Sequence, residues 1–299
     1  MKSPTHNATA TSPAVVRDTA ELRQVLAAVR REGKKIGLVP TMGALHAGHV
    51  SLVEASRREC DFTVATIFVN PTQFAPHEDF SRYPRTLETD LAALSGLADL
   101  VFAPATDSMY QPGHATYVEI QGVAEPLEGR CRPGHFRGVA TIVLKLFNIV
   151  EPDVAFFGRK DYQQSLVIRH MVADLDLPIT IRVCPIVREA DGLAMSSRNA
   201  YLSPGDRQQA LALNRSLRLA TEMVDAGERD ALKILGKMRE LIAASPAVRL
   251  DYLVLVDPDT LADVVRIERP TVAAVAAFVG STRLIDNQLL GESLPGGKP

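Results

Sequence analysis

The sequence predicts an α/β fold, with a parallel sheet over residues 14–185 followed by a smaller α+β unit over 186–299. Three observations carry that expectation. Short β-branched runs alternate with segments of helical apolar spacing through the first part, the pattern of repeated β-α-β units. One of those runs, 62–69, is nearly continuously β-branched, as expected for a strand buried on both faces of a parallel sheet. Beyond residue 203 the order changes: two amphipathic helices come first and three strand-like runs follow, which suits a small antiparallel sheet.

At 299 residues, with 46% hydrophobic and 23% charged residues, the chain has ample material for a core, in one large domain or two. A net charge of -2 and the lack of any Lys/Arg run argue against a nucleic-acid groove or a membrane surface. Cys60, Cys131 and Cys184 are odd in number and widely spaced, so neither a disulfide framework nor a cysteine metal site is expected, and a reducing cytoplasm is. Arg130 and Arg132 flank Cys131 and could depress its pKa. No segment has the ~20 apolar residues of a membrane span.

In chain order, residues 1–13 are rich in Ser, Thr and Ala and are expected to be a disordered tail, as is 294–299. Asp18 and Glu21 resemble a capping box, and Leu22, Val25, Leu26 and Val29 continue at helical spacing until Gly33. Residues 35–39 form the first expected strand, and Val50, Leu52, Val53 and Ala55 resume helical spacing. After the strand at 62–69 comes a polar loop, 70–74, then a helix capped by Thr86 and running to Gly96, then a strand at 99–103. A strand at 118–120 and a glycine-rich basic turn at 128–138, with Arg130, Arg132 and Arg137, precede a helix at 139–150. A strand at 154–157, a helix through Leu166, Ile168 and Val172, and a strand at 179–183 complete the parallel part. Ser203 caps a long helix with Pro204 at its first position and Asp206 at its third. A helix at 229–243 and strands at 254–256, 271–278 and 283–285 follow, and the boundary is expected near 184–187.

The chemistry is concentrated in a few turns. In Met42-Gly43-Ala44-Leu45-His46-Ala47-Gly48-His49 a strand gives way to a helix, and both histidines are expected in the first helical turn. There, unpaired backbone N–H groups and the positive end of the helix dipole attract an anion, and small residues let a large ligand approach. A phosphate fits. Zinc would need a third ligand nearby that the stretch lacks, and Gly-x-Gly-x-x-Gly is absent, so no dinucleotide fingerprint is met. Lys160, in Gly158-Arg159-Lys160-Asp161 at a strand end, is placed either to meet a phosphate or simply to start a helix in solvent. The stretch Met195-Ser196-Ser197-Arg198 suits a mobile phosphate-gripping loop. The arginines of 128–138 are as readily a solvated basic loop as an anion clamp, and His135 reads as structural.

Taken together, these stretches, with Phe-Val-Asn-Pro-Thr-Gln-Phe at 68–74, Arg-Pro-Gly-His-Phe-Arg-Gly-Val at 132–139, Lys-Asp-Tyr-Gln-Gln at 160–164 and Thr-Arg-Leu-Ile-Asp-Asn at 282–287, resemble the pantoate–β-alanine ligase (pantothenate synthetase) family of nucleotidylyltransferases. The resemblance implies a Rossmann-like ATP domain and a C-terminal domain closing over the active site. It also implies condensation of pantoate with β-alanine through a pantoyl adenylate, with ATP and Mg²⁺. By resemblance, Met42 to His49 hold ATP, with His49 a proton donor and His46 a phosphate contact. Lys160 and Met195, Ser196, Ser197 and Arg198 neutralise the triphosphate, with Gly158, Arg159 and Asp161 beside them. Val187 touches adenine, Gln73 and Gln164 bind pantoate, and the chain forms a homodimer. Arg159 departs from the family, which usually carries an acid or amide there. Another nucleotidylyltransferase and a nucleotide-sensing module are the competing functions.

Overall fold

The computed structural model describes residues 12–76 and 78–294; most of the expected N-terminal tail and all but the first residue of the C-terminal one lie outside them. Six strands form one parallel sheet: β1 (Ala14–Val16), β2 (Ile36–Thr41), β3 (Phe62–Ile67), β4 (Leu100–Phe102), β5 (Val154–Gly158) and β6 (Thr180–Cys184). Their order is β1-β4-β3-β2-β5-β6. The helices between them are α1 (Thr19–Arg31), α2 (Ala47–Glu59), α3 (Leu87–Leu94), α4 (Thr106–Met109), α5 (Glu128–Cys131), α6 (His135–Val150) and α7 (Tyr162–Asp174).

Side chains alternate across the sheet with the period of two that a pleated strand imposes. Leu38, Val64, Ala155 and Phe157 pack with Leu22 and Leu26 of α1, Leu146 of α6 and Ile168 of α7. Their neighbours Val39, Ala65, Val101 and Phe156 pack on the other face with Leu52 and Val53 of α2 and Leu94 of α3. A sheet covered on both faces needs apolar residues at nearly every position of its central strands, which is why 62–67 reads as a continuous run.

The second sheet is antiparallel, β7 (Val248–Val256), β8 (Thr271–Val279) and β9 (Thr282–Leu290), with α8 (Pro204–Asp225) and α9 (Ala231–Ala243) beside it. Leu213, Leu217, Ile234 and Met238 of the helices pack with Leu255 and Val275. The next residue along β8, Ala274, faces the other way and joins Val256 and Val272 against Phe136 of α6 and Leu166 and Val167 of α7. One face of this sheet therefore seals its own core and the other closes onto the parallel part. The fold is α/β with a Rossmann-like parallel sheet and a smaller α+β part.

Several expectations need correction. Residues 118–120 form no strand; the Val118 amide donates to Thr141 Oγ1 at 2.9 Å instead. The 128–138 stretch is not all turn, since α5 occupies its start and α6 begins at His135. Thr86 precedes α3 without a side-chain capping bond, its hydroxyl donating to Asp90 at 3.2 Å. Edge strand β1 and helix α4 were not anticipated, and β7 and β9 extend well beyond the apolar runs at 254–256 and 283–285. The Cys131 thiol is pushed up, not down, by burial first and then by Asp251.

Candidate active site

The site lies where the strand order turns back. β2 pairs with β3 on one side and with β5 on the other, so the chain leaving β2 and the chain leaving β5 part company and open a crevice at their C-terminal ends. His46 is the N-cap residue of α2 and His49 its third position, which moves His46 out of the first turn expected for it. The imidazoles, with centroids 4.1 Å apart, replace the usual capping side chains: His46 Nδ1 accepts from the Gly48 amide at 3.1 Å, and His49 Nδ1 accepts from the His46 amide at 3.4 Å. Two of the amides expected to meet an anion are thereby engaged. The same bonds assign both rings as neutral Nε2–H tautomers, so each has a donor left at Nε2. Burial, then Lys160, lowers His46 to about 4; burial, then His46, lowers His49 to about 3.

A residue that sequence reasoning missed holds the turn before the histidines. Asp90, buried at 2% exposure, accepts from the amides of Ala44 at 3.0 Å and Leu45 at 2.8 Å. Gly43 and Ala44 both have positive φ, 82° and 51°, as a sharp turn of this kind requires. Leu45 packs its side chain into the core beside α2 and Ala47 is exposed.

Across the crevice, β5 ends at Gly158 and a 3-10 turn, Arg159–Asp161, leads into α7. Lys160 is mostly buried, with its Nζ 3.5 Å from Asp161. Arg159 turns away to Glu292 at 3.8 Å, which answers where its extra charge goes. The turn is held from β9: Asn287 Nδ2 donates to the carbonyls of Arg159 at 2.9 Å and Lys160 at 2.8 Å. The preceding residue, Asp286, takes Arg188 through both oxygens, at 2.7 and 3.0 Å.

The 187–199 stretch forms a third wall. An antiparallel bridge pairs Arg188 with Ala194, and a 3-10 helix, Ser197–Tyr201, carries the motif. Ser196 Oγ accepts from the Arg198 amide at 3.3 Å, Ser197 Oγ donates to the Ala44 carbonyl at 3.2 Å, and Arg198 makes a bidentate pair with Asp79 at 2.8 and 2.9 Å. A carboxylate therefore already balances the arginine expected to face phosphate.

Two consecutive glutamines divide their work. Gln163 is buried, accepting from the Glu128 amide and donating to the carbonyls of Val123 and Pro126, while Gln164 lines the cavity. Gln73 follows β3, its Oε1 accepting from Asn70 at 3.0 Å and its Nε2 set on the Met42 sulfur at 3.1 Å. His135, read as structural, borders that cavity and a larger one beside it with both ring nitrogens engaged: Nδ1 donates to the Gln73 carbonyl at 2.9 Å and Nε2 accepts from Arg132 at 3.0 Å, with burial, then Arg132, lowering it to about 4. Arg132 is itself paired with Glu78 at 2.6 and 2.8 Å.

Met42, His46, Gly48, His49, Gln73, Gly158, Lys160, Asp161, Gln164, Val187 and Met195 to Arg198 all line one cavity of about 210 Å³. It shares Arg132, His135, Lys160, Asp161, Gln164, Ser196 and Arg198 with a larger chamber of about 560 Å³ that reaches between the two sheets. Gly43, Ala44, Leu45, Ala47 and Arg159 line neither. Cationic and neutral donors converge around a space open to a second compartment, an arrangement that can bind a polyanion and deliver another reactant to it.

Residues 14–289 match the family model described as pantoate-beta-alanine ligase. The chain is 55% identical over 273 residues to a pantothenate synthetase of Moorella thermoacetica, covering 91% of this chain and 96% of that one. It is 57% identical over 261 residues to a pantothenate synthetase of Acidobacterium capsulatum, covering 87% of each. The crystal structure of pantothenate synthetase from Thermus thermophilus is similar with a TM-score of 0.88 at 48% identity, over 92% of this chain and 98% of that one. So is that of a Francisella tularensis pantoate-beta-alanine ligase complexed with beta-gamma ATP and beta-alanine, at a TM-score of 0.78 and 33% identity, over 93% and 97% of the two chains.

Proposed function

The chain belongs to the pantoate-beta-alanine ligase family, and from that premise we propose how its site carries out the ATP-dependent condensation of pantoate with β-alanine. The observation that carries the reading is the convergence of His46, His49, Lys160, Met195 to Arg198, Gln73 and Gln164 on one cavity at the strand-order reversal. ATP enters over the histidine turn with its adenine toward Val187 and its phosphates toward His46, His49, Lys160, Ser196 and Ser197. Pantoate takes the Gln73 and Gln164 side, where an amide donor resting on a thioether sulfur is free to exchange that weak acceptor for a carboxylate.

In the first step a pantoate carboxylate oxygen bonds to the α-phosphorus and the bond to pyrophosphate breaks, leaving pantoyl adenylate. Charge accumulates on the phosphoryl oxygens, and donors already fixed in place stabilise it without reorganising. His49 acts as a neutral Nε2–H donor at neutral pH. In the second step the β-alanine amine bonds to the acyl carbon, the bond to AMP breaks, and the nitrogen gives up a proton to water, leaving pantothenate and AMP.

Mg²⁺ arriving with ATP completes the reading. Among the described residues no group of three or more His, Cys, Asp or Glu is gathered. Asp161, which lines both chambers, is the carboxylate that would join phosphate oxygens and water around such an ion; the ion would offset charge on the leaving pyrophosphate. The unit boundary is put near 184–187, between the two sheets. Three free cysteines fit a reducing cytoplasm, and among the described residues no helix is long and apolar enough to cross a membrane. A homodimer through the parallel part is proposed, with β6 as the open edge: Thr180, Arg182 and Val183 are exposed there, and sedimentation analysis that finds only monomer rejects it.

The reading is tested by exchange of labelled pyrophosphate into ATP. Exchange should require pantoate and not β-alanine, and AMP release should require the amine. Exchange that needs β-alanine, or that runs on an amino acid instead of pantoate, overturns it.

A further inference from the structure

The Asp286-Asn287 pair on β9 touches two of the three walls of the site and borders the larger chamber, its side chains spent on protein groups. Asn287 is 3% exposed and its Nδ2 is spent on two carbonyls, those of Arg159 and Lys160. Asp286 is 4% exposed; it receives the Arg188 guanidinium and the Asn287 amide at 2.8 Å, and Arg188 in turn donates to the Gly192 carbonyl at 3.2 Å. In a strand, adjacent residues point to opposite faces, so one dipeptide can reach the turn after β5 with one side chain and the base of the 187–199 stretch with the other. Asn287 reaches the Arg159 and Lys160 carbonyls from 128 and 127 residues away in sequence, so the turn after β5 is tied to the last strand of the chain.

We propose that Asn287 is a positioning residue of the reaction, fixing through the Lys160 backbone the direction in which the Lys160 ammonium meets the nucleotide phosphates. The inference rests on the reading of Lys160 as a phosphate contact. A flexible lysine on an unheld turn keeps its charge but loses its aim, and most of the value of a preorganised donor with it. Asn is suited to the task because its amide offers two N–H donors to two carbonyls; aspartate, nearly the same size, would set lone pairs against lone pairs.

The experiment is a double-mutant cycle on the full chain, reading the Kd of a non-hydrolysable ATP analogue for wild type, Asn287→Ala, Lys160→Ala and the double variant, with melting temperatures alongside. Asn287→Ala should weaken binding about tenfold in the wild-type background and less than twofold once Lys160 is gone. Asn287→Asp should weaken it at least as much as Asn287→Ala. Equal losses in both backgrounds, an unchanged Kd, or failure of both Asn287 variants to fold would overturn the inference and leave Asn287 a purely structural residue. A Lys160→Ala variant that binds the analogue as wild type does would instead overturn the site reading beneath it.

Discussion

The residues that line the cavity have consequences that can be separated by what each variant leaves intact. His49→Asn and Lys160→Ala each remove one preorganised donor and should lower kcat by on the order of 10²-fold, while the melting temperature at neutral pH stays near wild type. Near-normal turnover by both would favour a sensing module. His49 also sets a pH dependence. The unfolded chain takes up its proton near 6.5 and the folded chain near 3, so the unfolded state binds more protons between those values. Stability from this group is present above pH 6.5 and is lost as pH falls through that window. Thermal melts from pH 7 to 4 should therefore show a shallower decline for His49→Asn than for wild type; identical declines reject the assigned shift. For the glutamines, a carboxylate ~5 Å from that of pantoate at an effective dielectric of ~20 costs about 3 kcal/mol. Gln73→Glu and Gln164→Glu should each raise the KM for pantoate far more than that for ATP, and equal losses for both substrates would remove them from the pantoate side. The two histidines stood out from the residues themselves, being paired at a strand-to-helix switch, whereas the roles given to Lys160, Gln73 and Gln164 rest on the family resemblance. Asp90 and Asn287 did not stand out, since an acid in a helix and an amide in a strand look ordinary until the backbone groups they hold are folded against them.

Among the elements, strands covered on both faces could be read because burial forces an unbroken apolar run, and helices because one face is apolar. The three-residue β1 leaves too short a trace, and 118–120 has the alternation of a strand without a strand to pair with. β7 alternates half-buried with exposed positions over its first five residues, and β9 alternates buried with half-buried ones over its first four, which hid their extent. Helix α6 lies close over the turn that carries Gln73, and Gly138 permits it: a Cβ there would stand 2.3 Å from the Thr72 carbonyl oxygen. Gly138→Ala should destabilise the protein by about 2 kcal/mol and raise the KM for pantoate by displacing Gln73; a melting temperature within a degree of wild type would show that the turn yields freely.

Across the whole molecule, the two sheets are joined by apolar packing around Phe136 and Leu166 and by an ionic knot on β9. Arg283 of β9 pairs with Glu128 of α5 at 2.7 and 2.8 Å and with Asp251 of β7 at 2.8 and 2.9 Å, and Tyr252 adds its hydroxyl to Glu128. Arg283→Ala leaves Glu128 only Arg132 among the described residues, 3.9 Å away, and takes the guanidinium from Asp251, which should cost about 3 kcal/mol, the effect of breaking one side of a largely buried pair. Calorimetry would measure it, and a cost below 1 kcal/mol would mean that water already screens the knot. The placement of Asn287 on the last strand has a consequence in time. About 240 residues separate His46 from Asn287, roughly ten to fifty seconds of synthesis at about 5–20 residues per second. The histidine turn and its strands are complete in the nascent chain long before Asn287 can reach the Lys160 carbonyl, so on the proposal above full nucleotide affinity would be acquired last. On stalled chains extended by a C-terminal linker, a photoreactive ATP analogue should label about tenfold more weakly before β9 is exposed than after it, and equal labelling of chains halted earlier would show that the parallel sheet binds nucleotide unaided.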